Sequence, residues 1–414
     1  MNHKKIDFFF VKRRLVKMFQ HIVSSVKLIR TLFKETPLEH NAYLSAKHNA
    51  RIYLKREDLT PVRSYKIRGA YNKMHSLTNK NPIVTCSAGN HAQGVAYSCE
   101  KLGINGNIFM PTVTTPQKIK KVKQFGKDSV KIFLEGSTLR ESFAASMDYA
   151  RKGGLEFIHP FDDAKIIEGQ GTVGYEIMSQ LDNVEYILVP IGGGGLAAGV
   201  CTYIRTVAPH VKIIGVEPTG AASMYRALAE NAVVELDNIS TFVDGASVSK
   251  VGTLNFPICR DGLDSMVLID EGHVCSKIIE IYNELGYIIE PAGVLSLCAL
   301  DKLKYLDGQT VVALISGGNS DVYRMPEILE RSLLYEGRKH YFRIEFPQKA
   351  GALKNFVLNV LGEADIIYFR YTKLIAKETG PVIIGVEIED VSILLNTMKK
   401  HSILFEKVDS TSIY

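Results

Sequence analysis

Three nearly unbroken apolar runs set the terms for how this chain can fold. They are Tyr186-Ile187-Leu188-Val189-Pro190-Ile191, Ile213-Ile214-Gly215-Val216-Glu217 and Thr310-Val311-Val312-Ala313-Leu314-Ile315. Each is far shorter than a membrane span. Strands that read this way are covered on both faces, as in a parallel sheet flanked by helices. Shorter strand patterns recur upstream at 51–55, 82–86, 106–110, 130–134 and 155–158. Between them lie helical patterns at 65–74, at 91–102, from Thr115-Pro116, at 137–152 and at 171–180. This alternation predicts a doubly wound α/β body.

Ligands of such sheets bind beyond the carboxyl ends of the strands. Four turns directly follow expected strands and are therefore expected to converge on one cleft: Ser87-Ala88-Gly89-Asn90, Gly192-Gly193-Gly194-Gly195, Glu217-Pro218 and Ser316-Gly317-Gly318-Asn319. The four glycines, followed by Leu196, join a buried strand to a helix. Glycine lets the backbone approach a ligand closely. Consecutive N–H groups at a helix N-terminus then make an anion site. No Gly-Lys-Ser/Thr follows, so this is not a nucleotide-binding Walker loop, and it does not match GxGxxG.

Upstream stands Lys66, within Ser64-Tyr65-Lys66-Ile67-Arg68-Gly69-Ala70. A lone lysine opening a helix is ordinarily just solvated. Beside a phosphate-type loop it acquires a use, because a desolvated amine is nucleophilic and can hold a carbonyl as a Schiff base. A carbonyl compound that also carries a phosphate points to pyridoxal 5′-phosphate. Asn90 could bond a phenolic oxygen, or serve as a turn asparagine. Ser316 is a neutral hydroxyl at a strand end, or an ordinary cap. Cys86 reads as packing, and Glu217 as a weak candidate for a metal ligand.

Charge is concentrated at one end. Residues 1–34 hold nine Lys/Arg against Asp7 alone, leaving −2 of the overall +6 for the rest of the chain. The body therefore implies no nucleic-acid face. Residues 1–26 read as a basic N-terminal extension, either a docking helix or a membrane-surface or transit segment, without the features of a secretory signal. The six cysteines are scattered without a CxxC, which suits reduced, buried thiols in a cytoplasmic protein.

Together these motifs resemble the serine/threonine dehydratase family of fold type II pyridoxal-phosphate enzymes, over roughly 27–330 with a small subdomain at about 76–161. Lys55-Arg56-Glu57-Asp58 with the Lys66 stretch, Ser87 through Gly94, His159-Pro160-Phe161-Asp162-Asp163 and Glu168-Gly169-Gln170-Gly171-Thr172 carry the likeness. The resemblance implies that Lys66 bonds the cofactor covalently and Asn90 contacts its ring oxygen. It further implies that Gly192, Gly193, Gly194, Gly195 and Leu196 cradle the phosphate, and that Ser316 faces the pyridine nitrogen. Ser87, Ala88, Gly89 and His91 would hold the substrate carboxylate through backbone N–H groups. Two departures matter. Ala88 stands where serine racemase has its second acid/base serine, and Ser223 follows Glu217 where some relatives place a metal-binding acid, so no metal is expected.

A separate module occupies 338–414. A helical stretch at 326–337 precedes strands at 340–346, 366–374, 381–388 and 402–405, with helices at 350–361 and 391–400. The order βαββαβ is that of a ferredoxin-like α+β domain. Phe346 through Leu353 resembles the first turn of the ACT-like domain on biosynthetic threonine dehydratases. The implied activity is L-threonine ammonia-lyase, giving 2-oxobutanoate and ammonia at the entry to isoleucine synthesis, with L-serine as a further substrate. Isoleucine, or valine, is the implied effector and a homotetramer the implied assembly. Serine dehydratase or racemase activity, or a catalytically silent amino-acid sensor, are the alternatives.

Overall fold

The computed structural model describes residues 3–372 and 378–408, with side chains from residue 16 onward. The chain divides into two compact units, Met1–Asp321 and Val322–Tyr414.

The first unit opens with helix α1 (His3–Arg30), β1 (Leu38–His40), α2 (Ala42–His48), β2 (Arg51–Arg56) and α3 (Lys66–His75). Next come β3 (Ile83–Cys86), α4 (Asn90–Leu102), β4 (Gly106–Met110), α5 (Pro116–Gly126), β5 (Val130–Leu134), α6 (Leu139–Gly153) and β6 (Glu156–Phe157). The chain then returns through α7 (Ala164–Gln180), β7 (Tyr186–Pro190), α8 (Gly195–Val207), β8 (Lys212–Pro218), α9 (Ser223–Glu230) and α10 (Asn255–Gly262). Strand β9 (Ser265–Ile269), α11 (Glu271–Leu285), α12 (Leu295–Lys302) and β10 (Thr310–Ile315) complete it.

Two sheets result. One is six-stranded, ordered β1-β2-β10-β7-β8-β9; the other is four-stranded, ordered β5-β4-β3-β6. Every pairing is parallel except that of the edge strand β1. The apolar runs explain the centre of the larger sheet, since all six residues of β10 are buried. The smaller sheet is a chain insertion between β2 and β7, carried out on α3 and back on α7. Those helices touch backbone to backbone: a Cβ on Gly169 would lie 2.6 Å from the Arg68 carbonyl oxygen.

Two sequence expectations need correction. Helix α7 starts at Ala164 rather than 171, with the Asp163 side chain accepting hydrogen bonds from Lys165 N (2.7 Å) and Ile166 N (3.1 Å). Its glycines disfavour helix locally, yet they allow the close packing that holds it. From Met18 onward the segment expected as a separate extension is also packed into the core. Met18, Ile22, Val26 and Ile29 form one buried stripe along α1, at helical spacing. Ile22 packs in one cluster with Ile167, Val173, Val200 and Tyr203. The apolar run at 8–11 lies outside the described side chains. Among the described residues no helix is long and apolar enough to cross a membrane, and all six cysteines are buried and none forms a disulfide.

The second unit comprises α13 (Met325–Tyr335), β11 (Lys339–Pro347), α14 (Ala352–Phe356), β12 (Asp365–Tyr371), β13 (Thr379–Glu387), α15 (Val391–Lys400) and β14 (Phe405–Lys407). Its antiparallel sheet is ordered β12-β13-β11-β14, and with its helices it makes the expected βαββαβ fold. Phe342, Ile344, Phe346, Phe356, Val382 and Ile384 are among its core residues. The expected helix 350–361 starts two residues late and ends in a π-turn over Val357–Leu361. Of the strand expected at 366–374, the last two residues lie outside the described ones. The last strand falls at 405–407, after a turn in which Ser402 adopts a positive φ of 55°.

Candidate active site

The larger sheet reaches the smaller one at the carboxyl ends of β7 and β10, its adjacent central strands. A cavity of about 330 Å³ lies there, lined by Lys66, Ser87–His91, Glu290 and Ser316. A small recess lined by Gly192, Gly193, Gly194, Gly195 and Leu196 shares Tyr65, Lys66 and Phe161 with it. Lys66 and the glycine loop thus face the same space. Glu217 does not. Its carboxylate accepts from Met224 N (2.8 Å) and Tyr225 N (2.9 Å), capping α9 one strand further out. Burial pushes it up to about 8 despite those bonds. Three strand-end turns, not four, converge on the cleft.

Lys66 is the first residue of α3, and its position is set by the segment before it. Ser64 bridges to Gly317, and Tyr65 N donates to Ser316 O (3.1 Å). The helix start is thereby tied to the end of β10. The Lys66 ammonium donates to Pro160 O (2.8 Å) and lies 5.4 Å from the Tyr65 ring and 6.0 Å from the Phe161 ring. Desolvation lowers its pKa to about 8, against an opposing pull from Glu290. The neutral, nucleophilic form is therefore accessible near neutrality.

The glycine loop leaves no room for side chains. A Cβ on Gly193 would stand 2.3–2.5 Å from the Phe161 ring, and Gly194 takes a φ of +88° just before α8. The first N–H groups of α8 have no acceptor within their own helix, and they open onto the recess beside Lys66.

On the opposite wall, α4 begins at Asn90. The Asn90 amide donates through Nδ2 to Glu290 Oε1 (2.7 Å) and accepts at Oδ1 from Asn319 Nδ2 (2.8 Å). Ser87 Oγ accepts from Gly89 N (3.2 Å), closing the turn. The His91 ring is turned away and hydrogen-bonds Ile158 O (3.0 Å). Desolvation, with Lys66 nearby, holds its pKa down at about 3, so the ring is neutral. Any contact of His91 with a ligand falls to its backbone. Ser316 is buried at the end of β10 and donates to Ala292 O (3.4 Å).

A family model described as "Pyridoxal-phosphate dependent enzyme" matches residues 29–317, and one described as "C-terminal regulatory domain of Threonine dehydratase" matches 330–414. L-threonine dehydratase biosynthetic IlvA of Halalkalibacterium halodurans is 47% identical, over 94% of this chain and 96% of that protein. The chain belongs to the threonine dehydratase family of pyridoxal-phosphate-dependent enzymes. Among solved structures, the processed form of threonine deaminase isoform 2 from Solanum lycopersicum is 39% identical, with a TM-score of 0.72, over 77% of this chain and 89% of that one. Maize serine racemase is 27% identical, with a TM-score of 0.70, over 77% and 98% respectively.

The cleft of this threonine dehydratase relative fits the family's cofactor on its own geometry. It offers a side-chain-free anion cradle, and a desolvated amine lines the same recess. Sequence reasoning missed Glu290, which is buried between Asn90 and Asn319. The signal was faint: a single carboxylate after Ile288-Ile289 and before Pro291-Ala292-Gly293.

Proposed function

We propose that the chain acts as an L-threonine ammonia-lyase, with Lys66 as the residue that both carries the cofactor and moves the proton. The single observation that carries this reading is the Lys66 amine, lowered to about 8 and lining the same recess as the glycine cradle. When bound, pyridoxal 5′-phosphate supplies an aldehyde for amines and an electron sink for the substrate's Cα. The N–H groups of Gly192–Leu196 are suited to its phosphate, Asn90 to its ring oxygen and Ser316 to its ring nitrogen. A neutral serine hydroxyl cannot hold a protonated ring nitrogen as a carboxylate would, which favours loss of the β-hydroxyl over transamination.

In this reading the backbone N–H groups of the 87–91 turn hold the substrate carboxylate. The freed, neutral Lys66 amine takes the Cα proton as general base. That proton, returned from the Lys66 ammonium, would let the β-hydroxyl leave as water, and the enamine product tautomerises and hydrolyses to 2-oxobutanoate and ammonia. Ala88 lines the cleft without a hydroxyl, so the opposite face lacks a proton donor there. This supports elimination over racemisation, and L-serine would be dehydrated to pyruvate in the same way.

The C-terminal unit is proposed to bind isoleucine, or valine, and throttle the catalytic unit. An open cavity of about 500 Å³ lined by Lys349, Ala350, Gly351, Leu353, Lys354 and Tyr371 supports this. An effector acts through unequal affinities for two states, and a coupling of about 1–3 kcal/mol changes activity roughly 5- to 150-fold. A cytoplasmic homotetramer completes the proposal. The test is keto-acid formation from threonine and serine, with and without isoleucine. No keto acid from either substrate by the cofactor-loaded protein would reject the activity. Turnover indifferent to isoleucine and valine would reject the regulation.

A further inference from the structure

We propose that Glu290 is the positioning residue that aims the Asn90 amide into the cleft, and that it does so only as the carboxylate. This rests on the cofactor standing between Lys66 and the glycine loop.

Asn90 belongs to the smaller sheet, at the start of α4. Glu290 and Asn319 belong to the larger one. Glu290 Oε1 accepts from Asn90 Nδ2 at 2.7 Å, and its Oε2 accepts from the backbone N of Asn319 at 3.1 Å. Asn319 Nδ2 in turn donates to Asn90 Oδ1 (2.8 Å) and Val62 O (2.8 Å). Because one end of the Asn90 amide meets a carboxylate oxygen and the other an N–H donor, its two ends cannot be exchanged. The remaining Nδ2 proton is the one left to address a ligand oxygen.

Space is reserved for this carboxyl. A Cβ on Gly317 would lie 2.4 Å from Glu290 Oε1, so any side chain at 317 would displace it. Both carboxyl oxygens face N–H donors, a pattern that suits the charged form and is weakened by a proton on either. The carboxyl is nonetheless poorly stabilised as an anion. Burial, with Asp244 nearby, pushes it up to about 7, while Asn90, Asn319 N and Lys118 pull the other way. The charged groups around it are Asp244 from the loop before α10, Lys118 and Lys121 from α5, and Lys66 from α3. Lys118 pairs with Asp244 at 2.7 Å, and Lys121 donates to Asn319 Oδ1 at 3.1 Å.

The sign follows. Asn90 is aimed above the midpoint of Glu290 and loosened as the pH falls through it. Glu290→Gln cannot serve both donors, because its NH2 group must oppose either Asn90 Nδ2 or Asn319 N. The experiment is a pH titration of the loaded enzyme's visible absorbance, with kcat/KM for threonine measured in parallel, from about pH 6 to about pH 9. In the wild type, an absorbance change and an acid limb of kcat/KM should share a midpoint near 7. In E290Q both should be absent, with kcat/KM flat at its low value. Glu290→Asp, which keeps the charge on a shorter arm, should retain the limb with a moved midpoint, and it serves if E290Q does not fold. A wild-type limb that survives in E290Q overturns the proposal. So does an E290Q or E290D enzyme that melts lower but titrates like the wild type, since that is a merely structural role. A wild type with no lysine-bound absorbance at all overturns the cofactor placement itself.

Discussion

Replacing Arg68 with methionine should destabilise the catalytic unit severely and weaken its dependence on pH in the acid range. Arg68 lies two residues after Lys66, and its side chain is fully buried. It forks onto Glu57 through Nε (2.7 Å) and NH2 (2.8 Å), and onto Glu176 through NH1 (2.7 Å) and NH2 (2.8 Å). Lys55 also donates to Glu176 Oε2 at 2.7 Å, and Thr36 Oγ1 to Glu57 Oε1 at 2.6 Å. Removing the guanidinium therefore strips Glu57 Oε2 and Glu176 Oε1 of these bonds, while the other two oxygens keep the Lys55 and Thr36 donors. Each stripped charged oxygen costs about 1.5–3 kcal/mol, giving a loss of about 3–6 kcal/mol, in line with breaking a buried pair. At about 2 °C per kcal/mol for a unit of this size, the melting temperature should fall by about 6–12 °C.

The sign of the pH effect is independent of that magnitude. Burial alone would raise Glu176, but Arg68 and Lys55 outweigh it and hold the group well below the usual carboxylate range. Its stabilisation is thus present above the unfolded pKa and lost as the pH falls toward the folded one. In Arg68→Met, Glu176 loses the larger of its two cations and keeps only Lys55, so its folded pKa rises and the loss of stability on acidification should shrink. Thermal unfolding of the cofactor-loaded protein across the acid range measures both effects. A loss below about 1 kcal/mol, or an unchanged pH trend, would refute the reasoning. Adding Glu57→Gln and Glu176→Gln to the Met variant should recover part of the loss by removing the uncompensated charge.

Lys66→Ala should abolish the lysine-bound cofactor absorbance and nearly all turnover, and a borohydride-reducible linkage in that variant would unseat Lys66. Capture of the cofactor by apoenzyme needs the neutral amine, so its rate should climb with pH through about 8 and level off above; a flat profile argues against a desolvated lysine. Gly193→Ala would place a methyl within 2.5 Å of the Phe161 ring. Losing one N–H to a phosphate should weaken cofactor affinity about 10- to 150-fold, and equilibrium dialysis giving wild-type affinity would remove this loop from the anion site. A chain ending near Glu336 should lose isoleucine inhibition if it still binds the cofactor; isothermal titration finding no isoleucine binding by the intact protein would leave the C-terminal unit merely structural.

Local pattern was enough wherever local pattern is what decides. Strands 106–110, 130–134 and 310–315 and helix 391–400 fall on the residues their periodicity indicates, because alternation and apolar content are carried by adjacent side chains. The glycine loop was legible for a related reason: four residues without a Cβ between a buried strand and a helix admit few uses. Tertiary structure decided the rest. Helix α7 runs through glycines that disfavour it in isolation and is held by backbone contact with α3. The stripe of Met18, Ile22, Val26 and Ile29 became core only because α7 and α8 present a surface for it. Glu217 follows the same strand-end rule as the other turns, yet lies one strand too far out to reach the cleft. Glu290 is the sharpest case. Its partner Asn90 is 200 residues away, and its raised pKa arises from burial and from Asp244. Hydrophobic period is written along a chain, whereas desolvation is a property of what closes over it.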